Sequence, residues 1–451
     1  MWYSNGGLCV RWETDWRRHW CANKLLSLGS AQLEIRDHES SCLDLGYILQ
    51  GLEPEVIVRR KLVINTNDSI TVDELAEADS YTCWARPAER PAEYPTVRSL
   101  PMLRIVLSLA MVAMLCVYSA ACVSASESPN GVTWVGEEGP AKGKNIVFIA
   151  GDHEYRGEET LPAIARIMAK SYGATSHFFV TTDAKTGLIN PGSNHISGLE
   201  VLEKADLMVV FVRFQAFPDD QMKYIADYLK RGGPVIGLRT STHGFNGLKG
   251  TYEYLNENYK GAEFMNGFGR QILGEHWVGH YGQNHKMSSR INLEPAQVMH
   301  PVLRGVDKVH VQCGGYAANP MPDSVILGRG EVLDGMKIDD PASTTKDVKH
   351  PVAWVRSYDA TKPTSRVFTS THGASEDILN PGFRRMVVNA HLWCLGLEDA
   401  IKVDGPIEFI GPYNPSTFNF SGFRQGVKPA DITGWDTPIY DATKPIGTKK
   451  K

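Results

Sequence analysis

Basic charge, paired cysteines and periodic repeats are all missing from this 451-residue chain, and each absence removes a class of function. Lys and Arg number 47 against 51 Asp and Glu, a formal net charge of −4. No positive field is therefore offered to a phosphate backbone, and nucleic-acid partners are not expected. The absence of heptads, fixed-period repeats and low-complexity tracts excludes coiled coils and solenoids. The eight cysteines never fall in the close pairs of a zinc ribbon, and no HExxH motif supplies a zinc-protease base. What remains, 42% hydrophobic and 22% charged, is the composition of an ordinary globular protein.

One segment breaks that ordinary pattern. Ile105 to Val123 carries no charge and follows Met102, Leu103 and Arg104. Read from Met102, it has the short positive start, apolar core and small-residue end of a secretory signal. Read from Met1, it is a signal anchor of about the minimum spanning length, that is, a candidate transmembrane helix. Arg98 and Arg104 lie on its amino-terminal side, so either reading exports everything after Ser126 to the periplasm or exterior. Membrane contact is then limited to an uncleaved anchor.

The expected organisation follows. Residues 1–101, with Trp2, Trp12, Trp16 and Trp20 among scattered arginines and no sustained period, read as a non-native or disordered extension, translation starting at Met102. Residues 102–125 are the signal, 126–143 a linker, 144–398 the main domain and 399–451 a tail. Only Cys313 and Cys394 lie beyond the signal, so at most one disulfide is available and the core must hold the domain.

Within the main domain, apolar runs of strand length at Asn145–Ala150, His177–Thr182, Leu207–Val212 and Val235–Leu238 alternate with helical spacing at Glu158–Tyr172 and Asp219–Arg231. That alternation predicts an α/β fold: a doubly wound, mostly parallel sheet with helices on both faces, flavodoxin-like in topology. From Gly244 to Met321 the pattern loosens. Strands are again predicted at Ser324–Gly328, Val352–Tyr358 and Arg366–Thr371, and a final helix at Gly382–Leu395.

Polar residues gather where such sheets bind ligands, at the carboxyl ends of the predicted strands. Asp152, His153 and Glu154 follow the first strand, Arg213 the third, and Arg239, Thr240, Thr242 and His243 a sharp elbow after Val235–Leu238; Thr371 and His372 follow a late strand. A nucleophile elbow carries Ser or Cys at its apex, whereas here the apex is Arg239, which cannot attack. Arginine forks suit vicinal oxygens, histidines move protons near neutral pH, and Trp277 offers a stacking face. His276 and His280, four apart, raise the alternative of a divalent metal, although Gly279 and Gly282 oppose the helix that would align them.

Four stretches together, GDHEYRGEE at 151–159, GLRTSTH at 237–243, HPVAWVRSY at 350–358 and RVFTSTHGASEDILNPGFRRMVVNAHLWCLG at 366–396, resemble the ThuA-like (trehalose utilisation) family. That family is similar in fold to the class I glutamine amidotransferase-like superfamily, whose members carry an elbow Cys and a late His-x-Glu. Arg239 replaces the Cys here, and His372 with Glu376 stands at longer spacing, so glutaminase chemistry is not expected. The resemblance implies action on a carbohydrate or keto-sugar. The expected catalytic residues are His153, Glu154, His243 and His372, with Asp152, Arg213, Arg239, Thr240, Thr242 and Trp277 binding substrate. Hydrolysis, elimination and isomerisation all fit; a non-catalytic carbohydrate-binding relative and a metal-dependent hydrolase using His276 and His280 are the alternatives.

Overall fold

The computed structural model describes residues 131–447 throughout and, before them, the backbone of seven strands between Trp2 and Ala76. The chain divides into two compact units, Met1–Val123 and Ser124–Lys451. In the first, Gln32–His38, Cys42–Leu49, Val56–Ile64 and Ile70–Ala76 form an antiparallel meander, to which three shorter strands add. The apolar run 105–123 lies outside the described residues; among those described, no helix is long and apolar enough to cross a membrane.

The second unit is built on ten strands. In chain order these are β1 (Gly131–Val135), β2 (Asn145–Gly151), α1 (Gly157–Tyr172), β3 (Thr175–Val180), β4 (Leu207–Val212), α2 (Asp219–Lys230) and β5 (Val235–Leu238). Then follow β6 (Ser289–Leu293), β7 (Val309–Val311), β8 (Val325–Val332), β9 (Pro351–Ser357), β10 (Arg366–Ser370) and α3 (Pro381–Cys394). They form a single sheet in the order β7-β6-β8-β9-β10-β5-β4-β2-β3-β1.

The five central strands, β3-β2-β4-β5-β10, are parallel, and counted from β2 their order is the flavodoxin-like 2-1-3-4-5. Their continuous apolar sequences reflect burial on both faces. Ile146, Phe148 and Ala150 of β2 pack on α1 and α3, whereas Val147 and Ile149 pack on the layer containing Met222 and Ile225 of α2.

A mostly parallel sheet is not what forms, however. β1 pairs antiparallel with β3, and β9, β8, β6 and β7 extend the other side by antiparallel pairing, which makes the sheet mixed. The connection 358–365 between β9 and β10 explains much of this, since a parallel crossover needs about a dozen residues or more. β1 occupies part of the expected 126–143 linker, and β6 and β7 arise from the loosely patterned 244–321 stretch. The expected tail also joins the domain: Ile407, Phe418, Val427, Ile432, Ile439 and Tyr440 are buried in the same core as α1 and α3.

Candidate functional site

The order of the parallel strands puts the crevice between β2 and β4, where crossovers leave in opposite directions and the carboxyl ends part. Asp152 turns the chain as it leaves β2. Its Oδ1 accepts from the backbone N–H of Glu154 (2.8 Å) and of Tyr155, and its buried Oδ2 has no hydrogen-bond partner. This turn presents His153 and Glu154 to Arg213, the residue after β4. Arg213 Nη1 lies 3.2 Å from His153 Nε2 and 3.1 Å from Glu154 Oε2.

Because an arginine only donates, His153 Nε2 must accept, so the proton of the neutral ring sits on Nδ1. Burial lowers the His153 pKa, with Arg213 adding to the effect against the opposing pull of Asp152. The Glu154 pKa is raised by burial despite Arg213. The guanidinium of Arg213 lies between two rings, Cζ being 5.2 Å from the centroid of Phe214 and 4.8 Å from that of Phe420.

The elbow after β5 forms as a short 3₁₀ turn, Arg239–His243, entered with Arg239 at a left-handed φ of 46°. Arg239 has no solvent exposure. Its Nη1 donates to the carbonyls of Gly314 (2.6 Å) and Thr371 (2.8 Å), and its Cζ lies 4.1 and 4.0 Å from the ring centroids of Tyr155 and Tyr316. Nε and Nη2 have no hydrogen-bond partner. The residue expected to grip substrate therefore works as an internal post beneath the site. Thr240 is buried with its hydroxyl unpartnered, and Thr242 Oγ1 stands 3.3 Å from His243 Nδ1.

His243 is enclosed by rings: Phe214, Trp277 and Tyr316 lie 4.9, 5.0 and 5.9 Å away between centroids. Burial, then Arg213 and Arg239, push its pKa well below the usual histidine value, so it stays neutral. The buried indole Nε1 of Trp277 has no hydrogen-bond partner.

His372 enters a cluster that spacing alone could not reveal. Its Nδ1 is 3.2 Å from Cys313 Sγ, and the Cys313 thiol donates to Asp377 Oδ2 at 2.9 Å, all three residues being wholly buried. Asp377 also accepts backbone N–H groups from Gln312, Cys313, Gly373 and Ala374, tying the 312–314 and 373–374 segments together. Glu376, which the resemblance set beside His372, instead accepts from Thr417 Oγ1 at 3.2 Å. Burial raises the Cys313 pKa well above the ordinary thiol value and lowers that of His372 to about 4. A protonated thiol beside a neutral imidazole is no activated nucleophile.

Among the described residues this trio is also the one group of three or more ligand-type side chains that converges closely enough for a metal. Its donor atoms are already engaged with one another and with the backbone. Asp377 already receives four backbone N–H groups, and the flanking carbonyls of Gly314 and Thr371 hold the buried cation of Arg239.

His276 and His280 are not aligned by a helix, and neither belongs to a converging group of three ligand-type side chains among the described residues. The segment between them is not helical; His280 opens a two-residue ribbon with Tyr316. His276 lies beside Glu275 and lines a cavity of about 520 Å³ with Arg270, Asn319 and His350. His280 Nε2 is 3.0 Å from the Tyr155 hydroxyl, which also accepts from Asn284 Nδ2 at 2.8 Å. Burial pushes the Tyr155 pKa to about 12, so its hydroxyl is the donor to His280. Desolvation, with Arg239 and then Arg213 adding to it, lowers the His280 pKa to about 4.

Comparison with known proteins gives the family. The chain is similar to the crystal structure of a ThuA-like protein from Parabacteroides merdae ATCC 43184, at 13% identity and TM-score 0.35, over 62% of this chain and 98% of that one. It is also similar to the mmIFT52 N-terminal domain, at 11% identity and TM-score 0.32, over 56% and 97%. A third similarity is to the exo-beta-1,4-mannosidase Op5Man5 from Opitutaceae bacterium strain TAV5, at 9% identity and TM-score 0.27, over 56% and 36%. No curated protein matches. The model of the ThuA family, described as trehalose utilisation, matches residues 145–394, more than half of the sequence and all five parallel strands. The chain thus belongs to the ThuA family.

Proposed function

We propose that this protein binds a carbohydrate or its keto derivative in the crevice between β2 and β4 and acts on it by proton transfer. One observation carries the reading: Arg213, held between two aromatic rings, meets His153 and Glu154 where the strand order reverses. Planar donors suit vicinal hydroxyls or a keto oxygen on which negative charge develops. Glu154, a carboxylate whose pKa burial raises, is the available base, and Arg213 orients it. Such a base takes a proton from water or from the carbon beside a keto group, which gives hydrolysis, elimination or isomerisation. The sequence signal of export favours an extracytoplasmic substrate.

Incubation of the full chain with 3-keto and unmodified disaccharides is expected to give turnover. Arg213→Ala should lower kcat/KM roughly 100-fold, the usual effect of losing one preorganised donor. Absence of both binding and turnover in the parent chain would sink the proposal. A second reading, a carbohydrate-binding relative without a reaction, is favoured by the enclosure of His243 and His372 and by the commitment of His153 Nε2 to Arg213. It predicts saturable binding with no product.

A further inference from the structure

His280 is exposed, yet its ring is fixed from several sides. Trp277 and Tyr316 meet it edge-to-face, at 5.7 and 5.3 Å between centroids, and the hydroxyl of buried Tyr155 reaches its Nε2 at 3.0 Å. Ordering an exposed side chain costs rotamer entropy, and solvent gives nothing back for it. The ring also stands at the crevice. Tyr155 closes the same Asp152 turn that presents Glu154, and rings lead from Arg213 to His280 through Phe214, His243 and Trp277.

The direction of its hydrogen bonds is set from the backbone outward. The N–H of Gly314, which can only donate, donates to Asn284 Oδ1 at 3.0 Å. That bond fixes which way the amide lies, so Asn284 Nδ2 donates to the Tyr155 oxygen at 2.8 Å. The single hydroxyl proton of Tyr155 is left for His280 Nε2. Nε2 therefore accepts. Desolvation, then Arg239 and Arg213, keep the ring neutral near pH 7, and its proton sits on Nδ1, which has no hydrogen-bond partner among the described residues. The first link requires glycine, since a Cβ on Gly314 would stand 2.7 Å from the Gly282 carbonyl oxygen and displace the 282–284 segment.

We propose that this relay, from Gly314 through Asn284 and Tyr155, sets His280 Nδ1–H as a donor to an oxygen of the molecule bound in the crevice, joining Arg213 at a keto oxygen. The inference rests on the carbohydrate reading above and adds to it a residue that touches the substrate; Tyr155 and Asn284 are positioning residues. When Glu154 takes the proton from the carbon beside a keto group, the C–H electron pair becomes the enolate double bond and the carbonyl π pair moves onto the oxygen. A fixed N–H donor is worth more to that oxygen than to the ground-state carbonyl. His280 keeps its proton throughout.

Long-range ¹⁵N–¹H correlation spectra of the full chain at about pH 7 read the tautomer without any ligand. The parent should show His280 protonated at Nδ1, and Tyr155→Phe, which keeps the ring and removes the hydroxyl, should move the proton to Nε2. Calorimetry with 3-keto and unmodified disaccharides reads the contact itself. His280→Ala should weaken keto-sugar binding about fivefold, the usual loss of one hydrogen bond, and lower any kcat roughly 100-fold. His280→Asn, whose Nδ2 takes the place of the ring Nδ1, should recover most of the binding, whereas His280→Gln, which replaces the other nitrogen, should not. An Nε2 proton in the parent, or keto-sugar binding by His280→Ala equal to that of the parent, overturns the inference and leaves the carbohydrate reading standing. A parent chain that binds neither sugar overturns that reading instead. The relay is then decided by the tautomer alone, and a proton that stays on Nδ1 in Tyr155→Phe overturns it.

Discussion

At the apex of the elbow, a left-handed arginine takes the position from which nucleophile-elbow enzymes attack. Arg239 spends one nitrogen on two buried carbonyls and its flat faces on Tyr155 and Tyr316. Replacing it by Met would keep much of the volume but leave both carbonyls without a donor. Each buried, unpaired acceptor costs about 1–3 kcal/mol, so Arg239→Met should lose roughly 3 kcal/mol or more in urea denaturation. A loss under about 1 kcal/mol would mean that other donors reach Gly314 and Thr371. The sequence marked Arg239, His243 and His372 as residues of the strand ends, because polar groups after apolar runs are visible by position alone. It did not mark them as buried, nor Cys313 as the partner of His372, because that contact spans 59 positions and depends on how the 312–316 segment returns to β10.

Elements were legible where local chemistry sets their ends. α3 begins after Asn380, whose Oδ1 accepts the N–H of Phe383 at 2.9 Å, and Pro381 takes the first helical position, where its missing N–H costs nothing. Asn380→Ala should therefore destabilise the domain by about 1 kcal/mol, read as a lower denaturation midpoint at unchanged slope. An unaltered midpoint would show that tertiary packing, not the cap, holds that end. Among the antiparallel strands, β8 and β9 were predicted, but β1, β6 and β7 were not. β8 runs on past the predicted Ser324–Gly328 through glycines 328 and 330 with an irregular register against β9, and β7 has only three residues, too few to show an alternation. Likewise, the tail has almost no regular structure, and its role appears only through contacts with Glu159, Arg156 and His153.

For the whole molecule, burial of ionisable groups sets an optimum of stability between two opposing slopes. His372 and His391 are fully buried, and burial moves both from an ordinary 6.5 to about 4. Between those limits the unfolded chain takes up protons that the folded chain refuses, so stability falls as pH drops below 6.5. Glu158 acts in the other direction. Neither of its oxygens has a hydrogen-bond partner, and burial lifts its pKa to about 8 although Arg156 lies 3.4 Å away and pulls downward. From pH 4.5 to 8 the folded chain keeps a proton that the unfolded chain has released, so the contribution of Glu158 is complete below about 4.5 and is lost as pH rises toward 8. The buried histidines outweigh Glu158 in the acid window, whereas above 6.5 Glu158, whose pKa is lifted to about 8, sets the slope. Stability should therefore peak near pH 6.5 and decline by about 2 kcal/mol by pH 8, at about 1.36 kcal/mol per unit. Glu158→Gln should flatten the alkaline limb and leave the acid limb in place, measured as urea midpoints across about pH 4 to 8. An alkaline limb as steep in the variant as in the parent would show that Glu158 is ionised beside Arg156, with the ion pair stronger than its desolvation.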